Sequence, residues 1–207
     1  MTIRKGESWG TLRAPDRDVT IVGSDRELRH VVVAARLGGL ELPVIGLSGG
    51  DLMRTLGGSG DASRFVGEDP IPHLPIDIVT VTADDSRESL FLAHLVARRS
   101  WWHGQITAAM NAQFIGTNDV APRGHPNDGR VDLVTASAEL GLQQRWMARS
   151  RVRLGTHVPH PLISVRQHAT VTVDLPRSTP LWLDGERWGS ASRLLLTVQA
   201  DVLTVCV

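Results

Sequence analysis

Twice within residues 18–57 a short apolar run ends at a glycine-bearing turn and gives way to a helical pattern. Asp18–Val22 reads as a strand closing on Gly23. Asp25–Leu37 follows it, with Leu28, Val31, Val32 and Ala35 at helical spacing before Gly38-Gly39. The β-branched run Val31-Val32-Val33 weakens that helix without reversing it. Pro43–Leu47 is the second run. It ends in Ser48-Gly49-Gly50-Asp51, and Leu52–Leu56 reads as a short helix closed by Gly57-Gly58. Strands that alternate with helices pair in parallel, because each helix carries the chain back across the sheet, with a right-handed sense.

The pattern breaks between Gly67 and Pro75, where Pro70, Pro72 and Pro75 crowd into one short stretch. That stretch reads as a linker over residues 67–75. Beyond it strands dominate: Ile76–Thr82, Gln105–Ala112, Arg130–Thr135, Leu162–Arg166, Thr170–Asp174, Leu194–Gln199 and Val202–Cys206. Glu88–Arg98 is ambiguous, and Leu140–Val152 is the most helical stretch of this half. At roughly 150 residues per domain, a chain of 207 residues holds one domain or two small lobes. The expected layout is an α/β lobe over residues 1–67 and an antiparallel β lobe over residues 76–207. The residues up to about Leu12 are polar and are expected to be poorly ordered.

Composition removes several classes. Hydrophobic residues make up 42% of the chain, enough for a core. The 22 basic and 22 acidic residues cancel, so no global charge draws the chain to nucleic acid or to an acidic membrane, although a local patch stays open. No basic-aromatic patch stands out in the sequence, which places nucleic-acid binding last. Cys206 is the single cysteine, which excludes an internal disulfide framework and a multi-thiolate zinc site. Lys5 is the single lysine, so a Walker-type or Schiff-base lysine in the body of the fold is excluded. No secretory h-region follows the N-terminal basic residues. The longest uncharged stretch, Ser100–Asn118, holds amides and an imidazole that hydrocarbon would reject. A cytoplasmic protein without an integral membrane segment is expected.

Three sets of residues could carry chemistry. Gly23-Ser24-Asp25 and Ser48-Gly49-Gly50-Asp51 both open helices, and a helix N-terminus offers unpaired N–H groups and a positive dipole to a phosphate. Read alone, Asp25 and Asp51 are N-caps and the glycines merely turn the chain. Asn127-Asp128-Gly129-Arg130-Val131-Asp132 places two hard oxygen ligands around a turn, suited to Mg²⁺ or Ca²⁺, against the alternative of an Asx turn. Leu183-Asp184-Gly185-Glu186 reads as an Asp-Gly hairpin or as a carboxylate able to accept a hydroxyl proton. His157 and His160 flank Pro159, which disfavours a metal-binding helix, and no metal is assigned to them.

In this order the motifs resemble the diacylglycerol kinase-like lipid kinases, a superfamily that includes sphingosine kinases and, more distantly, NAD kinases. The likeness runs from Asp18 to Val207. Its second half is carried by Met110-Asn111, Ala121-Pro122, the Asn127–Asp132 turn, Gly155-Thr156-His157, Leu183–Glu186 and the terminal strands. The resemblance implies a nucleotide-type α/β lobe, reduced at its N-terminal side, followed by a β-sandwich lobe that holds a lipid. It implies ATP against Gly23, Asp25, Ser48, Gly49, Gly50 and Asp51, and a structural Mg²⁺ at Asp128 and Asp132. It makes Asp184 the general base, with Glu186 its companion. The reaction implied is transfer of the γ-phosphoryl group to the hydroxyl of a lipid-like alcohol.

Ser24, Arg26 and Glu27 depart from the family's first glycine motif. A carboxylate such as Glu27 held 4 Å from a phosphate charge costs about 4 kcal/mol at intermediate dielectric. A catalytically inactive homologue that binds a ligand or a partner is therefore the alternative expectation. A lobe with one side removed also implies exposed apolar surface, covered by a second copy or a partner chain.

Overall fold

The computed structural model describes residues 9–207, so Lys5 and Ser8 lie outside the described residues. The elements run β1 (Thr11–Arg13), β2 (Thr20–Val22), α1 (Asp25–Leu37), β3 (Ile45–Leu47), α2 (Gly50–Thr55), β4 (Ile71–Ala83), β5 (Arg87–Phe91) and β6 (His94–Arg98). They continue as β7 (Ile106–Met110), β8 (Phe114–Ile115), β9 (Asn118–Asp119), β10 (Val131–Ala136), α3 (Leu142–Arg151), β11 (Ile163–His168), β12 (Thr170–Leu183) and β13 (Glu186–Cys206). The architecture is mostly antiparallel β, with a small parallel α/β portion at its edge, as the motif order implies.

The helix α1 spans the residues its periodicity marks out. Ser24 caps it, its hydroxyl accepting from the Glu27 N–H, and Leu28 and Val32 on its inner face are fully buried. β2 and β3 pair in parallel, as their crossover demands. β3 also pairs in parallel with the end of β13, through Val205↔Ile45 and Cys206↔Gly46. The α/β portion is thus hydrogen-bonded into the main sheet. Ile21, Leu37 and Leu40 are exposed in this portion.

Three expectations are corrected here. Residues 67–75 do not form a linker throughout, because β4 begins at Ile71 and pairs with both β1 and β13. The prolines misled: the fixed φ of proline suits an extended chain, and the missing N–H is all that the ladder loses. Thr11-Leu12 is strand rather than unstructured, because it pairs with Pro72 and His73 of β4. Finally, Leu194–Gln199 and Val202–Cys206 are one strand, β13. A bulge between Gln199 and Leu203 carries Asp201 at φ 57°.

The two long strands build two cores by ordinary alternation. On β4, Ile76 and Ile78 face the core that holds Leu28, Val32, Ile45, Leu47 and Leu52. On its other face Val79, Val81 and Ala83 join Phe91, Leu95, Leu181 and Leu194. Its partner β13 does the same, with Leu194 and Leu196 in the second core and Leu203 and Val205 in the first. The ambiguous stretch Glu88–Arg98 resolves into β5 and β6. Among the described residues no helix is long and apolar enough to cross a membrane.

Candidate functional site

A cleft of about 390 Å³ is lined by Ser24, Asp25, Arg26, Gly50, Asp51, His94, Ile115, Asp184 and Gly185. Residues far apart in sequence meet here for a topological reason. β2 and β3 are parallel neighbours, so the turns that follow them lie side by side, and the β12–β13 hairpin at Asp184-Gly185 closes the opposite wall. Of the expected phosphate-binding residues, Asp25, Gly50 and Asp51 line the cleft. Gly23, Ser48 and Gly49 belong to the same two turns but are not part of its lining.

Asp25 and Asp51 are not caps of their own helices. Asp25 lies in the first turn of α1, and both its oxygens accept from the N-terminus of α2: Oδ2 from Asp51 N–H (2.6 Å) and Oδ1 from Leu52 N–H (3.0 Å). Asp51 in turn accepts from Gly116 N–H at 2.7 Å and lies 3.0 Å from His94 Nε2. The glycines serve this packing. A Cβ at Gly49 would sit 2.3 Å from the Gly23 carbonyl oxygen, and one at Gly50 (φ 99°) would sit 2.5 Å from the Asp25 carboxylate. Glu27 folds back so that its carboxylate accepts from Gly23 N–H at 2.7 Å, which keeps it inside the turn.

Asp184 is the most enclosed group. Its side chain is buried, and it accepts from the N–H groups of Leu92 (3.1 Å), Ala93 (2.9 Å) and His94 (3.0 Å), fixing the turn between β5 and β6. Arg29 Nε stands 3.9 Å away. Glu186 is partly exposed on the rim, where Arg29 donates to it and His30 Nε2 lies at 2.9 Å. The electrostatics follow from three acids sharing one partly buried space. Burial, with the charge of Asp184 second, raises the Asp25 carboxyl to about 6. Burial also raises Asp184, against the pull of His94 and the three amides. Burial alone would lower His94, but the bond to Asp51 and the charges of Asp184, Asp51 and Asp25 lift it above the ordinary imidazole value. Glu186 is held low, first by the His30 bond and then by Arg29.

Sequence reading missed Arg29, His30 and His94. Arg29 and His30 carried a faint signal, since Arg29 is four residues after Asp25 on the same helix. His94 is a buried strand residue and carried none.

Asp128 and Asp132 lie apart from the cleft, at the start of β10. Asp128 accepts from Arg130 N–H at 2.9 Å, and Gln167 Nε2 lies 3.4 Å from it. Burial, then the charges of Asp132 and Asp77, raises Asp128 to about 6. Asp77, a third acid that sequence reading did not pick out, accepts from Gly129 N–H (2.7 Å) and Asp201 N–H (3.0 Å), tying this turn to the β13 bulge. Among the described residues no group of three acids or histidines is arranged to hold a metal. The mutually repelling pair Asp128 and Asp132 fits only a cation that keeps most of its waters, as Mg²⁺ does.

A second concavity, of about 310 Å³, lies between α3 and β6, β7 and β10. Val96, Ile106, Ala108, Val134, Ala136 and Ile163 form its apolar walls, with Trp101 and Trp102 beside them and Asn118, Arg145, Arg149 and His157 as polar points. Burial lowers His157 below the ordinary imidazole value, against a backbone bond at Val120 and the charge of Asp119. His157 belongs to the Gly155-Thr156-His157 motif, to which the sequence assigns no metal.

Mostly antiparallel strands around a two-faced core, met at one edge by a parallel βαβ unit, define a kinase-like β-sandwich of the NAD kinase type. The chain belongs to the family described as the YegS C-terminal NAD kinase beta sandwich-like domain, which matches residues 78–207. Solved structures that it resembles include one of a Bacillus anthracis protein assigned as a diacylglycerol kinase. That structure has a TM-score of 0.67 and 13% identity, over 91% of this chain and 77% of that one. A second Bacillus anthracis diacylglycerol kinase structure gives a TM-score of 0.63 at 13% identity, over 91% and 75% of the two chains. At that identity the likeness is one of fold. No curated protein matches the sequence.

Proposed function

We propose that this chain holds a lipid-like alcohol in the apolar cavity beside α3 and does not transfer phosphate to it. The observation that carries this reading is in the cleft: the chain's own carboxylates occupy the amides a phosphate would need. Asp25 takes the N–H groups of Asp51 and Leu52, and Glu27 takes that of Gly23. The dipole of α2 is thereby neutralised internally, and three acids face any incoming anion. The cavity offers what an acyl chain requires, apolar walls, with His157, Asn118 and Arg149 among its polar groups for a hydroxyl. On this reading residues 1–67 are the reduced nucleotide-type part and residues 76–207 the ligand-holding part.

Phosphoryl transfer is the second reading, favoured by the convergence of Asp25, Asp51, His94, Asp184 and Arg29 on one cleft. In that case ATP would lie against the Ser24–Arg26 and Gly49–Asp51 turns, and Asp128 and Asp132 would hold Mg²⁺. A bound Mg²⁺ neutralises phosphate charge. Asp184 would have to release its amides to take the hydroxyl proton, with Arg29 holding Glu186 beside it.

Thermal unfolding with added ligand separates the two. A monoacylglycerol should raise the midpoint by roughly 5–10 °C at a hundredfold excess over Kd, while millimolar Mg-ATP should leave it unchanged. Ala136→Trp, which fills the cavity, should remove the lipid-induced shift. A shift with Mg-ATP, together with turnover that Asp184→Asn abolishes, would establish the kinase instead. No shift with the monoacylglycerol would end the ligand proposal.

A further inference from the structure

The even charge balance of the chain conceals a one-sided distribution. Residues 89–118 contain no Asp or Glu, and neither do residues 140–173, yet between them they carry Arg98, Arg99, Arg145, Arg149, Arg151, Arg153 and Arg166. Both segments contribute to the lining of the apolar cavity, Trp101 and Trp102 from the first and Arg145, Arg149 and Val152 from the second. Arg145 is the clamp: buried, it donates to the carbonyls of Leu140 (2.9 Å), Ser137 (3.1 Å) and Gly104, fixing α3 against the turn that bears Trp101 and Trp102. Arg149 then stands 5.7 Å from the Trp102 ring.

The outward side of α3 is unusual for a helix with solvent beside it. Leu142 is 67% exposed and Trp146 64%, one helical turn apart, and Leu154, just past the helix, is 78% exposed. Arg149, Arg151 and Arg153 project among them, all exposed. Indole rings and leucines interspersed with arginines, with no acid among them, match the chemistry of a bilayer surface. The rings sit at headgroup depth, the leucines reach the acyl boundary, and the guanidinium groups pair with lipid phosphates.

We propose that α3 and the Trp101-Trp102 turn form a docking face for an anionic membrane surface, seating the cavity mouth at the acyl boundary. The face goes beyond the ligand reading and stands without it, since membrane binding can be read with no ligand present.

Sedimentation with lipid vesicles tests this on the full chain. The protein should pellet with vesicles of phosphatidylcholine mixed with phosphatidylglycerol and stay in solution with phosphatidylcholine alone, and added salt should weaken the binding. Arg151→Gln combined with Arg153→Gln, neither of which lines the cavity, should weaken partitioning roughly 25-fold. Leu142→Ala with Trp146→Ala should weaken it further while leaving the unfolding midpoint within a few degrees. Failure of the folded wild-type protein to bind the anionic vesicles at low salt overturns the proposal. So does equal binding to both vesicle types, preferential binding of a single-stranded oligonucleotide, or a dimer in light scattering that Trp146→Ala dissolves. A monoacylglycerol-induced thermal shift without vesicle binding would retire this face and leave the cavity reading intact.

Discussion

The molecule has two concavities of similar size, and they are finished in opposite ways. In the cleft between the glycine turns and the Asp184 hairpin, polar groups are satisfied by the chain itself: Asp25 by two amides, Asp184 by three, Asp51 by Gly116 N–H and His94. The cavity beside α3 has walls that are mostly apolar, and Arg145 among its lining spends its donors on backbone carbonyls. A site that has spent its hydrogen bonds on its own turns serves as a fixture, whereas an apolar hollow gains free energy only when something enters it.

The largest effect should come from removing the best-satisfied group. Asp184→Ala strands three buried amides and leaves Arg29 without a buried counter-charge, so it should cost about 3–5 kcal/mol in urea-induced unfolding. A loss below 1 kcal/mol would show that the cleft is not the fixture described. The comparison sharpens with pH. A carboxyl raised in the folded state binds its proton more tightly there than when unfolded, so stability falls as pH rises between the two values. For Asp25 that window runs from its ordinary value of 3.8 up to about 6. His94, raised in the folded state, contributes stability below its ordinary value of 6.5 that is lost at higher pH. Both effects have the same sign, and the Asp25 shift by itself is worth roughly 3 kcal/mol between pH 4 and pH 8. Asp25→Asn should flatten the lower part of this profile. The smallest effect belongs to the helix that carries Arg29. Ser24→Ala removes the cap of α1 and should cost about 1 kcal/mol, without altering a lipid-induced shift.

How much of this was legible in the sequence depended on how local the cause was. The bounds of α1 were readable because its cap, its apolar face and its glycine stop lie within a few residues of one another. The strand through Pro72 and Pro75 was not, since what makes it a strand is pairing with Leu12 and with Val205, far away in the chain. The single long β13 was hidden because its bulge is held by Asp77, more than a hundred residues upstream. The cleft was legible as a set of motifs in order, which put Asp25, Asp51 and Asp184 together correctly. Their amide partners were not, because those N–H groups lie on turns distant in the chain. His94 and Arg29 complete the cleft only through tertiary contacts.

The sharing of β4 and β13 by both cores fixes how the molecule comes apart. Each ladder is a common wall, and pulling it away from one half strips the other of its lining at the same moment. The small α/β edge cannot melt while the sandwich persists with its β4 face exposed, because Ile76, Ile78, Leu203 and Val205 would all meet water together. Two hydrophobic cores should accordingly disappear in a single cooperative transition, and the slowest-exchanging backbone protons should be those in the β4–β13 ladder between Ile78 and Ala83.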